Sequence, residues 1–502
     1  MNQSVFALIA DRLAARPDRV LIEADGGADW TWADIDATTA RYARLMDSLG
    51  LRKGDRVAVQ VDKSPEALLV YLACNRAGLV YLPMNTAYRE DEIDFLLGNA
   101  RPGLFVCRPE AEVECQGLAA RNGVANTLTL DGQGRGTFTA RAAEMAADFA
   151  PVACGPDDDA GILYTSGTTG KPKGAVMTQR NLSSNALALV DYWGFRETDV
   201  LLHALPVFHT HGLFVACHCA LFSGAKMLWL PKFDAARVLA LLPRATVMMG
   251  VPTFYTRLLA TPEFGRAQCG AMRLFVSGSA PLLEETHKAF EERTGMAILE
   301  RYGMTETGMI TSNPLDGERR AGTVGFPLPG IEVRIGDDAD TVLATDEVGV
   351  IQMRGPNVFK GYWGLPEKTA EEFTQDGWFR TGDVGKIDAR GYVHIVGRAK
   401  DLIISGGFNV YPKEIEGVID RIEGVLESAV IGIPHPDFGE AAAAIVVRQP
   451  GATLGEDDII AHIKTRIANY KVPKHVKFLP ELPRNTMGKV QKNVLRDTFD
   501  KL

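Results

Sequence analysis

Short strand-like runs alternate with helical stretches through most of this 502-residue chain. The apolar and β-branched residues predict strands at Arg56–Val61, Leu104–Cys107, Gly161–Tyr164, Val247–Gly250 and Arg273–Ser277. Between the first two strands, Ser64–Gly78 opens with a capping serine and a proline, which predicts a helix packed on a sheet. Alternation of this kind favours an α/β architecture with mostly parallel sheets.

Ligands of such sheets bind beyond the carboxyl ends of the strands. We therefore expect ligand-binding loops after Tyr164, Gly250, Ser277 and Leu299. From Ile331 onward, short strand-like runs are separated by Gly, Asp and Pro, which predicts a smaller β-rich region followed by an α+β tail. Composition alone places the boundary of this tail between about residue 380 and about residue 410.

The composition is that of a globular enzyme with more than one core. Hydrophobic residues make up 46% of the chain and charged residues 23%, and a chain of 502 residues should divide into several units. The net charge of −9 argues against a general nucleic-acid or membrane-surface binder. We therefore expect small-molecule ligands, with no nucleic-acid or membrane partner.

Three features predict a cytoplasmic protein. Seven cysteines without a C-x-x-C pair indicate a reducing compartment. No run approaches the roughly 18 apolar residues that a membrane span needs. The N-terminal helical pattern is interrupted by Asp11, Arg12 and Arg16, which is typical of an amphipathic helix rather than a signal peptide.

Residues 161–174 read GILYTSGTTGKPKG and join a strand to a loop rich in glycines, hydroxyls and lysines. Glycines let backbone N–H groups approach phosphate oxygens, hydroxyls donate hydrogen bonds, and ammonium groups neutralise charge. The loop is not a Walker A loop, because Pro172 follows Lys171 and the G-x-x-x-x-G-K-[ST] spacing is absent. A phosphate-binding loop and a polar surface turn are both compatible with these residue types taken alone.

This string resembles the phosphate-binding signature of the adenylate-forming enzymes, which include acyl-CoA synthetases, luciferases and peptide-synthetase adenylation domains. Six further strings follow in that family's order: PVFHTHGL at 206–213, VSGSAPL at 276–282, ERYGMTET at 300–307, WFRTGD at 378–383, GRAKD at 397–401 and PRNTMGKV at 483–490. The resemblance implies a large N-terminal domain, residues 1–397, of two mixed or parallel αβ sheets and a small β-barrel-like region. It also implies a hinge at 398–401 and a smaller, mobile α+β C-terminal domain, residues 402–502.

Enzymes of this family join a carboxylate to the α-phosphorus of ATP, expel pyrophosphate and pass the acyl group to a thiol. The first step needs positioning and neutralisation of phosphate charge. By resemblance, the residues that contact the phosphates are Thr165, Ser166, Gly167, Thr168, Thr169 and Lys173. The resemblance places Gly278, Ser279 and Ala280 at adenine, Asp383 at the ribose and Arg398 at the ribose or a phosphate, and it adds Tyr302, Gly303, Met304 and Thr305 to the nucleotide-binding residues. Glu306 would help to hold Mg²⁺, and Thr165 and Glu306 would share catalysis with Lys489.

Lys489 resembles the lysine that bridges the substrate carboxylate and the α-phosphate during adenylation, a task that suits a point charge on a flexible stem. In the family, the C-terminal domain then rotates about a hinge residue, here Lys400, and a second loop, here Gly406 and Gly407, lines the path of CoA. The segment around Lys489 also resembles the site at which acetylation inactivates bacterial acyl-CoA synthetases, which makes a lysine acetyltransferase a candidate partner. Without the resemblance, Lys489 is an ordinary solvated lysine.

The acid is indicated by Arg301, which precedes the Tyr-Gly-Met-Thr-Glu string where most acyl-CoA synthetases have a small or neutral residue. Arginine grips a carboxylate through two hydrogen bonds, so this position predicts a second carboxylate on the substrate. With Arg257, His209 and His211, it resembles the acid pocket of malonyl-CoA synthetases. The resemblance implies that malonate, with methylmalonate as a second candidate, is ligated to CoA with release of AMP and pyrophosphate.

The residues leave alternatives open. Arg301 could instead pair with Glu300 or Glu306, and Arg257 could face water as most helix arginines do. The chain could be another short-chain or aryl acyl-CoA synthetase, a stand-alone adenylation domain that loads a carrier protein, or a non-catalytic nucleotide sensor. A metal site is the weakest alternative, because the spacings in the cluster His209, His211, Cys217, His218 and Cys219 do not match common zinc sites.

Overall fold

The computed structural model describes residues 2–165, 172–405, 408–435, 439–485 and 488–499. Up to residue 192 the elements are α1 (Val5–Leu13), β1 (Val20–Ala24), β2 (Asp29–Thr31), α2 (Trp32–Ser48), β3 (Arg56–Gln60), α3 (Pro65–Ala77), β4 (Val80–Pro83), α4 (Glu90–Ala100), β5 (Leu104–Cys107), α5 (Glu112–Arg121), β6 (Asn126–Thr129), α6 (Thr137–Ala143), β7 (Asp159–Thr165), β8 (Lys173–Thr178) and α7 (Gln179–Tyr192).

The next segment contains β9 (Val200–His203), a π-helix (His211–Cys217), α8 (His218–Ser223), β10 (Lys226–Trp229), α9 (Ala235–Leu241), β11 (Val247–Gly250), α10 (Pro252–Leu259), β12 (Leu274–Ser277), α11 (Glu284–Thr294), β13 (Leu299–Met304), β14 (Gly308–Ser312) and β15 (Phe326–Pro327). The remainder contains β16 (Glu332–Gly336), β17 (Gly349–Arg354), β18 (Gly361–Tyr362), α12 (Pro366–Glu371), β19 (Phe379–Ile387), β20 (Val393–Arg398), β21 (Ile403–Ser405), β22 (Phe408–Val410), α13 (Pro412–Ile419), β23 (Val425–His435), β24 (Gly439–Arg448), α14 (Glu456–Lys464), β25 (His475–Phe478) and α15 (Lys492–Phe499).

The chain divides into two compact units, Met1–Glu332 with Arg354–Phe373, and Val333–Met353 with Thr374–Leu502. The β-rich region predicted from Ile331 begins at the first of these boundaries with β16. The predicted hinge at 398–401 lies inside the second unit, directly after β20. The domain limits at 397 and 402 stay predictions, because compactness reports which segments pack together and not where a chain rotates.

Two mixed sheets with helices between their strands form the first unit, which confirms the predicted α/β class. The nine-stranded sheet has the order β15-β14-β13-β12-β11-β9-β10-β1-β2, and the seven-stranded sheet has the order β18-β8-β7-β4-β3-β5-β6. Strands β9 to β13 pair in parallel, and β14, β15 and β2 add antiparallel edges. Most predicted strands match the observed bounds within two residues.

Helix α3 shows how local sequence signals determine where a helix begins and ends. The Ser64 hydroxyl accepts a hydrogen bond from the Ala67 N–H, and Pro65 occupies the first helical position, where its missing N–H has no cost. Gly78 ends the helix in the left-handed region, at φ 68°. Every residue of α3 except Glu66 is buried, so the helix is a buried crossover that connects the paired parallel strands β3 and β4.

The second unit contains the predicted β-rich region and the α+β tail. The β-rich region is a four-stranded sheet, β16-β17-β19-β20, and the tail is a five-stranded sheet in which β25 joins the path β22-β21-β24-β23. Apolar side chains of α13, α14 and one face of the β23–β24 ladder form one core of the tail. The opposite face of that ladder packs on Leu482 and on Leu495 of α15.

One sequence expectation about loop positions was wrong. Strand β13 does not end at Leu299 but starts there and runs to Met304, so Arg301 and Tyr302 belong to a strand and the chain turns at Glu306. The loop after Tyr164 borders the seven-stranded sheet, whereas the loops after Gly250 and Ser277 border the nine-stranded sheet. In the described part of the chain, no helix is both long enough and apolar enough to cross a membrane.

Candidate active site

The parallel strands β9, β11, β12 and β13 end at one edge of the nine-stranded sheet. The register pairs Ser277, the last residue of β12, with Glu300 of β13. Arg301 therefore lies beside Gly278, the first residue after β12. The sheet register brings together two sequence motifs that were predicted separately, VSGSAPL and ERYGMTET.

Arg301 is a buried cation at this end of the sheet. Its side chain is almost inaccessible, at 3% exposure, and Nε and Nη2 have no hydrogen-bond partner among the described residues. Burial lowers the pKa of the guanidinium to about 10, against the opposing influence of Tyr255, Cys219 and the Glu300 carboxylate. The alternative in which Arg301 is neutralised by an ion pair is not observed in the described residues.

Gly278 allows the guanidinium of Arg301 to lie against the backbone. A Cβ atom at this position would lie 2.4 Å from both Cζ and Nη1 of Arg301. The next residue, Ser279, has φ 72°, a left-handed conformation that costs free energy for a residue with a side chain. A glycine that permits close approach and a strained serine are together typical of a ligand-binding loop.

His211 is another buried polar group at this edge. Its Nδ1 lies 3.1 Å from Ser279 Oγ, which joins the start of the π-helix after β9 to the loop after β12. Burial, followed by the charge of Arg301, holds the pKa of His211 well below its ordinary value, so the imidazole is neutral. Its Nε2 is buried without a partner in the part of the chain that the structure describes. When the Ser279 hydroxyl donates to Nδ1, the proton of the neutral ring is on Nε2, and Nε2 is then a hydrogen-bond donor.

The two remaining predicted acid contacts are placed differently. His209 is half-buried, and its Nδ1 accepts a hydrogen bond of 3.4 Å from the backbone N–H of His211, so the two histidines are neighbours. Arg257 is exposed on α10. The structure therefore brings Arg301, His211 and Ser279 together, while Arg257 has the exposure expected of an ordinary helix arginine.

Glu306 lies in the turn between β13 and β14 and is buried. Its Oε1 accepts a hydrogen bond of 3.0 Å from the Tyr362 hydroxyl. The Lys173 ammonium lies 4.1 Å from the centre of the Tyr362 ring and 3.1 Å from Glu372 Oε1. Lys173 is the first residue of β8, and its strand partner Thr165 is the last residue of β7. The structure thus places Glu306 next to the ends of the predicted phosphate loop.

The carboxylate of Glu306 fits a hard divalent cation that is held together with a nucleotide. In the described residues, no three His, Cys, Asp or Glu side chains gather as a metal site of their own. Mg²⁺ is usually held by one or two carboxylates together with substrate phosphates. One buried carboxylate with an oriented oxygen matches that pattern.

In the second unit, the predicted ribose contacts Asp383 and Arg398 are neighbours. They are register partners on β19 and β20, and Arg398 Nε lies 2.9 Å from Asp383 Oδ1. Asp383 is buried, and its N–H donates to the Thr381 hydroxyl, which donates to the backbone oxygen of Ile351. The carboxylate is therefore held in one orientation.

Two hydrogen bonds join the backbone of Lys489 to Asn485. The Asn485 N–H donates to the Lys489 oxygen, and the Lys489 N–H donates to Asn485 Oδ1, both at 2.9 Å. Burial of the ammonium end, followed by the charges of Arg398 and Lys400, lowers the pKa of Lys489 to about 8, although the residue as a whole is exposed. Lys400 itself lies in the 3-10 turn Ala399–Asp401 after β20.

Six predicted contacts lie outside the described residues: Ser166, Gly167, Thr168, Thr169, Gly406 and Gly407.

Comparison with known families identifies the chain. The model of the AMP-binding enzyme family matches residues 9–363, and that of the AMP-binding enzyme C-terminal domain matches residues 414–489. The chain belongs to the AMP-binding enzyme family. It is an ATP-dependent acyl-CoA ligase that works through an acyl-adenylate.

The relatives of this AMP-binding enzyme act on different acids. The ATP-bound structure of MatB from Rhodopseudomonas palustris is 53% identical, covers 100% of this chain and 99% of its own, and superposes with a TM-score of 0.98. A feruloyl-CoA synthase of Amycolatopsis sp. is 36% identical over 481 residues, 94% of this chain and 95% of the relative. A malonate–CoA ligase of Arabidopsis thaliana is 33% identical over 530 aligned residues, 96% and 86% of the two chains.

Sequence reasoning missed three contacts of this AMP-binding enzyme. It placed Ser279 at adenine and not against His211, and it did not name Tyr362 or Glu372. Only the GY string at 361–362 could have drawn attention to Tyr362, and it carries no spacing signal. Each contact joins residues that are far apart in the chain.

Gly278→Ala tests whether the close approach of Arg301 matters for the acid. We expect KM for the acid substrate to rise about 10- to 100-fold, because the new Cβ displaces the guanidinium, and misplacement by about 1 Å is costly in a binding site. Melting temperature should change little, since the flexible end of a side chain can move. The measurement is acid-dependent AMP release, with Gly417→Ala on α13 as control because a Cβ there contacts nothing within 4 Å. An unchanged KM would contradict the placement of the guanidinium at the acid.

Proposed function

We propose that the protein ligates malonate to CoA, with methylmalonate as the second candidate substrate. In the first half-reaction, a malonate carboxylate oxygen attacks the α-phosphorus of ATP, and pyrophosphate leaves. In the second, the CoA sulfur attacks the acyl carbon, the thiol proton is lost and AMP leaves. The observation that carries the proposal is the buried Arg301, which has two nitrogens without a partner among the described residues and lies beside a neutral His211.

A second carboxylate on the substrate satisfies this arrangement. It accepts two hydrogen bonds from the guanidinium and a third from His211 Nε2 when Ser279 donates to Nδ1. A monocarboxylate or an aryl acid leaves the buried charge unpaired, as it is without substrate, and so does not gain the roughly 3–5 kcal/mol that separates a paired from an unpaired buried charge. The Arabidopsis malonate–CoA ligase supports this choice, while the feruloyl-CoA synthase marks the alternative of an aryl acid.

The other site residues have proposed roles in the same reaction. Thr165 and Lys173, with the loop between them, bind the phosphates, and Gly278–Ala280, Tyr302–Thr305, Asp383 and Arg398 bind the nucleoside. Glu306 holds Mg²⁺, which, when bound, neutralises charge on the phosphate oxygens. Lys489 neutralises the carboxylate and α-phosphate, and is a proposed target of a lysine acetyltransferase. Rotation about Lys400, which would bring Gly406 and Gly407 to CoA, remains a proposal from the family resemblance.

The acid preference is tested by CoA-dependent release of AMP from ATP with acetate, propionate, malonate, methylmalonate, succinate and 4-coumarate. We expect kcat/KM for malonate to exceed that for propionate by about 100-fold or more, since one buried charge must be satisfied. Preference for a monocarboxylate such as propionate or 4-coumarate would refute the malonate assignment, but the assignment as an acyl-CoA ligase would stand. No release with any acid, despite ATP binding, would favour a carrier-protein acceptor or a nucleotide sensor.

A further inference from the structure

Tyr362 contacts two proposed ATP-binding groups at once. Its hydroxyl donates to Glu306 Oε1 at 3.0 Å, and its ring face lies 4.1 Å from the Lys173 ammonium. Glu306 comes from the β13–β14 turn of the nine-stranded sheet, and Lys173 comes from β8 of the seven-stranded sheet. Tyr362 therefore connects the two sheets at the proposed phosphate site.

The position of Tyr362 is determined by its surroundings. It lies on β18, which pairs antiparallel with β8, so that Tyr362 is opposite Ala175. Its N–H donates to the Thr369 hydroxyl at 2.9 Å, and its ring packs edge-on against Phe359 at 4.9 Å. The side chain is buried, at 6% exposure. A side chain confined in this way has little rotamer freedom and can hold a partner in one orientation.

The hydroxyl of Tyr362 acts only as a donor to the carboxylate. Its O–H lies 3.0 Å from a carboxylate oxygen that accepts, so the hydrogen bond is charge-assisted. Groups of this kind orient metal-binding side chains, and their loss typically weakens metal binding by about 10- to 100-fold.

We propose that Tyr362 is a positioning residue for the cation of the nucleotide: its hydroxyl orients the Glu306 carboxylate, and its ring holds Lys173 beside that carboxylate. The inference rests on the proposed function, because it takes Glu306 as the carboxylate that holds the cation. Glu372 completes the arrangement by pairing with Lys173 at 3.1 Å. Cation binding and phosphate binding are therefore coupled through one tyrosine that does not itself contact the substrate.

The test measures binding of Mn²⁺, used in place of Mg²⁺, to the full-length protein mixed with ATP and no acid. Free Mn²⁺ is followed by its EPR signal, so the readout does not depend on turnover. Tyr362→Phe keeps the ring, its packing and its contact with Lys173, and removes only the hydroxyl. We expect it to weaken Mn²⁺ binding about tenfold or more. In steady-state assays, the same variant should need about tenfold more Mg²⁺ for half-maximal rate, with KM for the acid unchanged.

Tyr71→Phe is the matched control, because Tyr71 is also buried and also loses one hydrogen bond, at 2.7 Å to His218 Nε2. A structural role alone would give both variants a lower melting temperature and the same Mn²⁺ affinity as the parent protein, and would overturn the proposal. Glu306→Gln separates the proposed role of Glu306 from the proposed role of Tyr362. If it leaves Mn²⁺ affinity unchanged, the assignment of Glu306 fails, and the role of Tyr362 fails with it. If Glu306→Gln weakens binding and Tyr362→Phe does not, only the role of Tyr362 is overturned.

Discussion

Arg301→Met is expected to reduce kcat/KM for malonate by about 10²- to 10³-fold, which corresponds to about 3–4 kcal/mol of lost binding in the transition state. The substrate's second carboxylate would then be buried against an apolar side chain of similar length. Turnover of propionate should change little, because a monocarboxylate makes no use of the guanidinium. The measurement is AMP release with both acids. An equal loss for both would show that Arg301 serves the reaction and not the choice of acid.

The same variant is expected to be more stable than the parent protein. Arg301 is a buried cation whose Nε and Nη2 lack partners in the described residues, so its removal eliminates a desolvation cost of about 1–3 kcal/mol. An increase of a few degrees in melting temperature without ligand, together with loss of malonate turnover, would identify Arg301 as a residue retained for function at the expense of stability.

Arg319→Met is the matched control for this stability effect. Arg319 donates to three backbone oxygens, those of Pro314, Ala297 and Leu315. Its loss leaves those oxygens without donors and should lower the melting temperature, while the preference for malonate remains. If Arg301→Met lowered the melting temperature as much as Arg319→Met, the guanidinium of Arg301 would have partners that stabilise the fold.

Lys489→Ala is expected to reduce adenylation by about 10²- to 10³-fold, the usual cost of removing one charged donor from a transition state. Thioester formation from supplied malonyl-adenylate and CoA should be nearly unaffected, because Lys489 is proposed to act only in the first half-reaction. Pyrophosphate exchange and adenylate consumption measure the two steps separately. Lys464→Ala, an exposed lysine in the last turn of α14, is the control and should alter neither. Equal losses in both steps would contradict the assignment.

The pKa of Lys489 adds a pH dependence to the same step. With a pKa of about 8 in place of 10.5, the ammonium is charged below about pH 8 and loses its proton as pH rises through that value. Adenylation should therefore fall about tenfold per pH unit above about pH 8. Lys489→Arg keeps its charge over this range, so its residual adenylation should not show the decline. The comparison is the pH profile of pyrophosphate exchange for the two proteins.

Local sequence patterns were sufficient for the class of fold and for the family. The limits of β5 and β11 agree with prediction, and the serine–proline start and glycine end of α3 appear as expected. These signals are local because periodicity, capping and backbone freedom act within a few residues. Motif order was sufficient to predict an adenylate-forming enzyme and to select Arg301.

Contacts between distant segments could not be predicted in this way. His211 and Ser279 are 68 residues apart, Glu306 and Tyr362 are 56 apart, and Lys173 and Glu372 are 199 apart. The sheet registers decide which of these residues meet, and no local pattern specifies a register between distant strands. For the same reason Arg257 and Arg301, both predicted to contact the acid, differ in the folded protein: one is exposed on α10 and the other is buried. Whether a charged side chain keeps its water depends on what packs around it, and only the tertiary structure decides that.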